Sequence, residues 1–521
     1  MGSAVLHRLT TLCVLACAAF ASKGAQAQPS SGHLLELRKS GELRWGADSQ
    51  GGAPYVFQDP MDPNHLIGFE VDLADALAKK LGVRARPVQG QWDKLLELLE
   101  RRDFDIAMNG IEVADEKRRV ARLSRPYYVS PERLSIRRGD HGAPRRLEDV
   151  HGRKVGTLPG SLAERILQRD AADVRGYDGG QNEIFEDLRL GRTDAVLLDE
   201  AITRYYGEIE PEIEVVPGSF GEVRYAIASP REEDDFGREL DQALDALARD
   251  GTLRKIYEHW GLWNPETAAL LGADARSSQP VANAYEAWRA AVGKIPPLWE
   301  RIRHRYPAMM PLFLRGAGLT LLISLCSMLI AVALGLVLAL GRTYGPWPVR
   351  WLAVAYIEFI RGTPLLVQLI MLYFGLPELG IKLDPFFAGC LALGLNYAAA
   401  EAENYRAGLQ SVNAGQHEAA FSLGLTRLQT IRHVVAPQAF RIAIPPMTND
   451  FIALLKDSSL VALVTLTELN KTYMNLANAT RDHLGLGLVV ALWYLAIGLP
   501  FARLSRYIET RLAQRSRTSN R

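Results

Sequence analysis

The sequence predicts two folds in series: an α/β domain in the first half and an all-α membrane domain of about five spans in the second. From about Leu34 to Trp263, short apolar strands alternate with amphipathic helices. Between Leu312 and Arg511 lie several apolar runs long enough to cross a bilayer. At 521 residues the chain has room for two or three domains, and a net charge of +1 gives no electrostatic ground for binding nucleic acid.

The N-terminus reads as an export signal spanning residues 1–27. His7 and Arg8 precede a short apolar core from Leu9 to Phe20, and Ala25-Gln26-Ala27 has the small-x-small form of a cleavage site. The alternative, an uncleaved anchor, needs a longer apolar run. Cys17 in "LACA" carries only a faint lipid-attachment signal, because Leu15 fits that pattern poorly. Cys13 and Cys17 fall in this segment, and Cys326 and Cys390 fall in apolar runs. The exported domain, residues 28–263, therefore has no cysteine and no thiol chemistry.

Within that domain "ELRWGAD" (Glu42 to Asp48) reads as a strand. "GFEVDLADALAKKLGV" sets Phe69, Leu73, Leu77 and Leu81 on one helical face. "FDIAMNG" and "TDAVLLD" read as short buried strands, each preceded by a helix. Such βα alternation builds open sheets with a ligand site at the strand ends. Residues 264–306, rich in Ala, Pro and polar residues, read as a tether with one helix around Ala282 to Val292.

Five spans are expected in residues 307–512: Leu312–Leu340, Trp347–Leu376, Pro385–Leu409, Ile442–Leu466 and Leu486–Leu504. If the first domain is outside, the loops holding Arg342 and Arg350, then Arg427, Arg432 and Arg441, lie inside. The basic tail (513–521) lies inside with them. The two remaining loops have no basic excess, so charge placement and the export signal agree on one topology. No phosphate-binding loop of the form GxxxxGK[ST] occurs, so any ATP and Mg would be held by a separate hydrolysing subunit.

The long inner loop, "QHEAAFSLGLTRLQTIRHVVAPQ", begins with a short helix of small residues. A glycine break follows, then an apolar-basic stretch that Pro437 ends. Small residues let another surface approach the helix backbone, and Phe421, Leu423 and Leu425 offer apolar anchors. An interfacial amphipathic helix would look similar. Glu418, Ala419, Ala420, Gly424 and Pro437 resemble the EAA loop of ABC importer permeases, with Val434 and Ala436 where Ile and Leu are usual. The flanking "EFIRGTPLLVQL", "AENYRAGLQS" and "NDFIALLKDSSL" resemble the polar amino acid permeases, over essentially all of Leu312 to Leu512. The resemblance implies that the loop docks on a cytoplasmic ATPase and that two lipid-embedded copies form the pathway, most simply a homodimer. Charges within spans cost several kcal/mol unless paired or wet. Glu358, Arg361, Glu403, Lys456 and Asp457 are therefore candidates for the translocation path, alongside Glu401. A structural role for the Lys456–Asp457 neighbours is the alternative. Gly362-Thr363-Pro364 should interrupt the second span.

The first half resembles the family-3 solute-binding proteins over about Leu34 to Leu262, through "GFEVDLADALAKKLGV", "FDIAMNGIEVADEKRRVARLSRPYY", "GRTDAVLLDE" and "DGTLRKIYEHWG". That resemblance implies a two-lobed α/β periplasmic binding-protein domain closing on an amino acid. The chain should cross between lobes near Ser130–Leu134 and Phe220–Arg224. By the same resemblance Asp199 meets the α-ammonium, though a helix cap is its other reading. Asp48 meets a ligand side chain, Gly110 gives a lobe-one backbone contact, and Gly160 and Ser161 offer N–H groups to the α-carboxylate. Glu112 stands where the family has a hydroxyl residue. Lys117 stands where it has a carboxylate-gripping arginine, a point charge in place of a fork. Glycines replace the usual stacking aromatic, with Tyr55 nearby to compensate. Asp48, Glu112 and Asp199 together imply a ligand with an extra cationic group, such as arginine or lysine, unless Glu112 pairs with Lys117. The expectation is a fused binding-protein and permease subunit of an ATP-driven amino acid importer, itself neither an enzyme nor a metalloprotein. It would sit in the bacterial inner membrane with its binding domain outside. A glutamate-receptor-type channel is disfavoured by the uninterrupted binding domain, and an enzyme on the same scaffold by the lack of a catalytic domain.

Overall fold

Short strands, apolar and buried at the sheet centres, build two main sheets, and the chain crosses between them twice. The computed structural model describes residues 32–519 apart from 51, 178–179, 277–282 and 294. The expected signal segment lies outside them, as do the side chains of the basic tail. The first sheet runs Arg84–Gln89, Glu42–Ala47, Ile106–Ala107, Ala228–Ser229, Arg122–Leu123. Helix Phe69–Leu81 packs on it through Phe69, Leu73, Leu77 and Leu81, all buried. The second sheet centres on Ala195–Asp199, every residue of which is buried, as a strand covered on both faces requires. It pairs parallel with Lys154–Thr157 and antiparallel with Tyr128–Arg137. The crossings are Tyr128–Arg137 and Glu222–Tyr225, paired Val223 to Ser130 and Tyr225 to Tyr128, which overlap the expected stretches and extend beyond them.

Residues 264–306 differ from a free tether. Asn264 caps helix Pro265–Leu270, and Asn264 Nδ2 and Thr267 Oγ1 both donate to Val129 O at 3.0 Å, on a crossing strand. Helix Asn283–Val292 buries Tyr285 and Trp288, and the Trp288 ring lies 4.6 Å from that of Tyr205. Two aromatics spaced three residues apart on one face give this segment enough apolar area to dock.

In the membrane domain, Leu298–Tyr344 and His483–Ile508 are long and apolar enough to cross a membrane. Trp347–Arg361 and Leu365–Leu379 add a third such segment if counted as one span, bent by 104°. The break falls at Gly362-Thr363-Pro364, as expected, and Gln368 Nε2 closes it by donating to Ile360 O and Thr363 Oγ1 at 3.0 and 2.7 Å. Where the third and fourth spans are expected, at Pro385–Leu409 and Ile442–Leu466, stand the helices Pro385–Gln410 and Ala436–Asp457, neither of which is apolar enough to count as a membrane span. The first of these carries Glu401, Glu403 and Arg406, and both carry more polar residues than a lipid-facing span. Pro385–Gln410 instead packs centrally against Tyr306–Tyr344 and Ala436–Asp457. Gly335 makes that approach possible, since a Cβ there would lie 2.6 Å from Glu401 Cβ.

Candidate functional site

Between the lobes lies a cavity of about 370 Å³ lined by both sheets' strand ends, including Asp48, Trp92, Gly110, Glu112, Glu132, Ser161, Asp199 and Tyr225. Asp48 follows the strand Glu42–Ala47. Its carboxylate accepts from Gln50 N (3.0 Å), Gln89 Nε2 (2.8 Å) and Trp92 N (3.2 Å), which fixes its direction. Asp199 ends its strand and accepts from Ile202 N at 3.0 Å, so it is a helix cap as well as a cavity residue. Tyr55 Oη donates to Asp199 Oδ1 at 3.1 Å and lies 3.0 Å from Tyr225 Oη. Burial pushes the Asp199 carboxyl up to about 6. The same cause raises Glu132 well above the usual carboxylate range, and Glu132 Oε2 has no hydrogen-bond partner among the described residues.

The resemblance assigned a backbone contact to Gly110 and carboxylate-binding roles to Gly160, Ser161 and Lys117, and in the structure each of them has a partner within the protein. The Gly110 amide donates to Glu70 Oε1 at 2.8 Å, and the Gly160 amide to Glu164 Oε2 at 2.7 Å. Ser161 caps helix Leu162–Arg169 by accepting from Glu164 N. Lys117 does not line the cavity: its Nζ sits 5.7 Å from the Trp92 ring centroid, and burial pulls its ammonium below the ordinary lysine value. Glu112 pairs with Arg165 rather than Lys117. Its Oε2 accepts from Arg165 Nη2 and its Oε1 from Leu162 N, both at 2.9 Å.

Trp92, Asn109, Glu132 and Arg165 escaped the sequence reading. Trp92 adds an aromatic to the cavity wall alongside Tyr55: its backbone N–H holds Asp48 and its Nε1 donates to Asn109 O at 2.8 Å. The signal was a lone aromatic in "GQWDK" just after a strand. Glu132 was visible only as a carboxylate inside a crossing strand.

The membrane domain reaches this cleft. Leu463 lines it, and helix Leu469–Thr480 lies across its mouth. Lys471 Nζ donates to Gln50 Oε1 at 2.7 Å and sits 3.5 Å from Asp48 Oδ1, with both charged side chains under a tenth exposed. Asn475 donates to Ser49 Oγ (2.9 Å), Asn182 donates to Asn478 O (3.2 Å), and Arg481 pairs with Glu210. One helix thus touches residues of both lobes. A second contact joins Arg101 to the carbonyls of Tyr373 and Leu383, with Lys382 donating back to Arg101 O.

The EAA-like loop lies beyond the far end of Pro385–Gln410, about 39 Å away at 1.5 Å per residue. Helix Ala414–Ser422 buries Ala420, leaves Glu418 and Ala419 exposed, and ends before Gly424 at φ +78°. Leu423 is 82% exposed and Phe421 50%, a bare apolar face. Thr426 and Gln429 then form a capping box, and the chain stays helical from Arg427 to Asp457, so Pro437 does not end the stretch as expected.

Among the span charges, Glu403 is tied to Arg342 and Arg406, so it is a structural knot rather than a free group. Glu401 is the wholly buried one. Asp457 accepts from Tyr397 Oη at 2.8 Å while Lys456 is exposed, so the two neighbours do not pair. Glu358 and Arg361 are exposed on Trp347–Arg361 and enter no ion pair among the described residues.

Residues 43–262 match the bacterial extracellular solute-binding proteins of family 3, and residues 331–514 match the binding-protein-dependent transport system inner membrane component. A probable amino-acid ABC transporter permease protein of Bacillus subtilis, YckA, is 41% identical over 38% of this chain and 89% of its own length. The glutamine transport system permease protein GlnP of Escherichia coli is 35% identical over 40% of this chain and 95% of its own. The L-cystine-binding protein TcyJ of Escherichia coli is 30% identical over 50% of this chain and 97% of its own.

Proposed function

Because the chain belongs to the amino acid ABC transporters, with a solute-binding and a permease domain on one polypeptide, we propose that its cleft captures an amino acid bearing an additional cationic group. The observation that carries this is the balance of charge in the cavity. Arg165 is paired with Glu112 and Lys471 approaches Asp48. Glu132 and Asp199 face the cavity with no ion pair among the described residues. Two buried carboxyls held toward their neutral forms ionise readily when a cation enters, and each then gains a partner in low dielectric. Asp199 takes the α-ammonium, and Glu132 with Asp48 takes the side-chain cation.

The ligand then passes to a pathway formed by two permease domains. Glu358 and Arg361, exposed on one chain, face the second copy, since a lone charge in lipid costs several kcal/mol. The Phe421–Leu423 face docks on a separate ATPase that holds ATP and Mg. The binding domain is periplasmic and the C-terminus cytoplasmic. Glutamine, for which one of the relatives is named, carries no extra cation, and cystine, for which another is named, carries a second ammonium only together with a second carboxylate. Calorimetric titration of the purified full chain therefore sets arginine and lysine against glutamine and glutamate. Tight binding of either of the latter two with none of arginine or lysine sinks the cationic reading.

A further inference from the structure

The Glu112 carboxylate occupies the place where an amino acid's own carboxylate would be held. Its Oε1 takes the Leu162 N–H in the first turn of helix Leu162–Arg169, and its Oε2 takes the Arg165 fork, both at 2.9 Å. This is an anion seat by ordinary chemistry: a free backbone amide at a helix N-terminus with a guanidinium beside it. It opens on the ligand cavity, because Ser161, Ala163 and Glu112 all line that space. A buried carboxyl oxygen with no partner, Glu132 Oε2, lies in the same cavity. The occupant belongs to the other lobe. Glu112 follows the first sheet's Ile106–Ala107 strand, whereas Leu162 and Arg165 sit on the second lobe's helix, so this contact joins the lobes across the cleft. The other amides nearby are engaged by carboxylates already, Gly110 by Glu70 and Gly160 by Glu164.

We propose that Glu112 is a resident substitute for the ligand's α-carboxylate. It latches the lobes together over an empty cleft, and a captured amino acid must expel it to reach Leu162 N and Arg165. A latch that holds about 90% of the molecules lowers the apparent affinity of such a ligand about tenfold. A ligand without a carboxylate leaves the latch in place and escapes that penalty. The side chain thereby sets specificity: it works against carboxylates and spares amines.

The test is calorimetric titration of the purified full chain, wild type against Glu112→Ser and the near-isosteric Glu112→Gln. Each is titrated with two matched pairs, L-arginine with its decarboxylated amine agmatine, and L-glutamine with 4-aminobutanamide. Both variants should bind the pair's amino acid about tenfold more tightly than wild type, while the Kd of the matching amine stays within twofold. If neither variant binds either amino acid more tightly than wild type, the latch does not exist. An equal gain for amino acid and amine also overturns the proposal, since Glu112 then acts on both alike. The cationic reading fails separately, if glutamine rather than arginine is the amino acid that binds, and the glutamine pair then still decides the role of Glu112.

Discussion

Replacing Lys471 by Met should loosen the docking of the binding domain on its own permease without touching the fold of either. Lys471 Nζ lies 3.5 Å from Asp48 Oδ1 and donates to Gln50 Oε1 at 2.7 Å. At that separation and an effective dielectric of ~20, the gross attraction to Asp48 is about 4.7 kcal/mol. Desolvating the ammonium cancels several kcal/mol of it. Asp48 also keeps its three donors, Gln50 N, Gln89 Nε2 and Trp92 N, when the lysine is gone. The loss should therefore fall below the ~3–5 kcal/mol of a stranded buried charge and above the ~0.2–1 kcal/mol of an exposed pair. A net cost of about 1–2 kcal/mol corresponds to a factor of about 5–30 in the docking equilibrium. Ser49 and Asn475, whose side chains meet at 2.9 Å, give the reporter. With both changed to cysteine in the full chain, oxidant should join them, and mass spectrometry of the linked peptides measures the rate. Lys471→Met should slow that rate about 5- to 30-fold. Equal rates in the two backgrounds, or no disulfide in either, would refute the assignment of Leu469–Thr480 as the docking helix.

Three further outcomes follow from single residues. Burial raises the folded-state value of Asp199 to about 6, above its unfolded value of 3.8. The folded chain thus binds the extra proton, so this residue costs stability as pH rises from about 4 to 6, by about 2–3 kcal/mol in all. Asp199→Asn, which keeps an N-cap, should raise the melting temperature of the ligand-free protein at pH 8 while abolishing amino acid binding; wild-type affinity should fall as pH drops through about 6. Leu423→Asp should prevent co-purification with the ATPase proposed to dock there, at unchanged thermal stability, because Leu423 is 82% exposed. Trp288→Ala should free helix Asn283–Val292 from Tyr205, a local loss of about 3–5 kcal/mol seen as faster amide exchange confined to that segment.

The sequence alone determined what repeats along the chain. Phe69, Leu73, Leu77 and Leu81 recur at helical spacing, Ala195–Asp199 is a continuous apolar strand, and the long apolar runs mark the spans; each is a local pattern read without partners. The short helix carrying Glu418-Ala419-Ala420 and its break at Gly424 were legible for the same reason, since a contiguous loop carries its spacing with it. The charge contacts were not legible. Glu112 and Lys117 are both expected to face the ligand, with a pair between them as the alternative; instead Glu112 faces Arg165 across the cleft, and Lys117 turns to Trp92. Glu403, a candidate for the translocation path by its place in a span, is tied to Arg342, 61 residues away. Residues 264–306 looked like a tether because their apolar content is low, yet Tyr285 and Trp288 meet aromatic partners supplied by another element. Lys471, more than four hundred residues from Asp48, could not be linked to it by any pattern. Hydrophobic periodicity is a property of one segment, whereas a charge takes its meaning from whichever opposite charge or dipole the fold brings within a few ångströms. That is why the architecture was readable from the chain, while the occupant of the carboxylate seat was decided only in three dimensions.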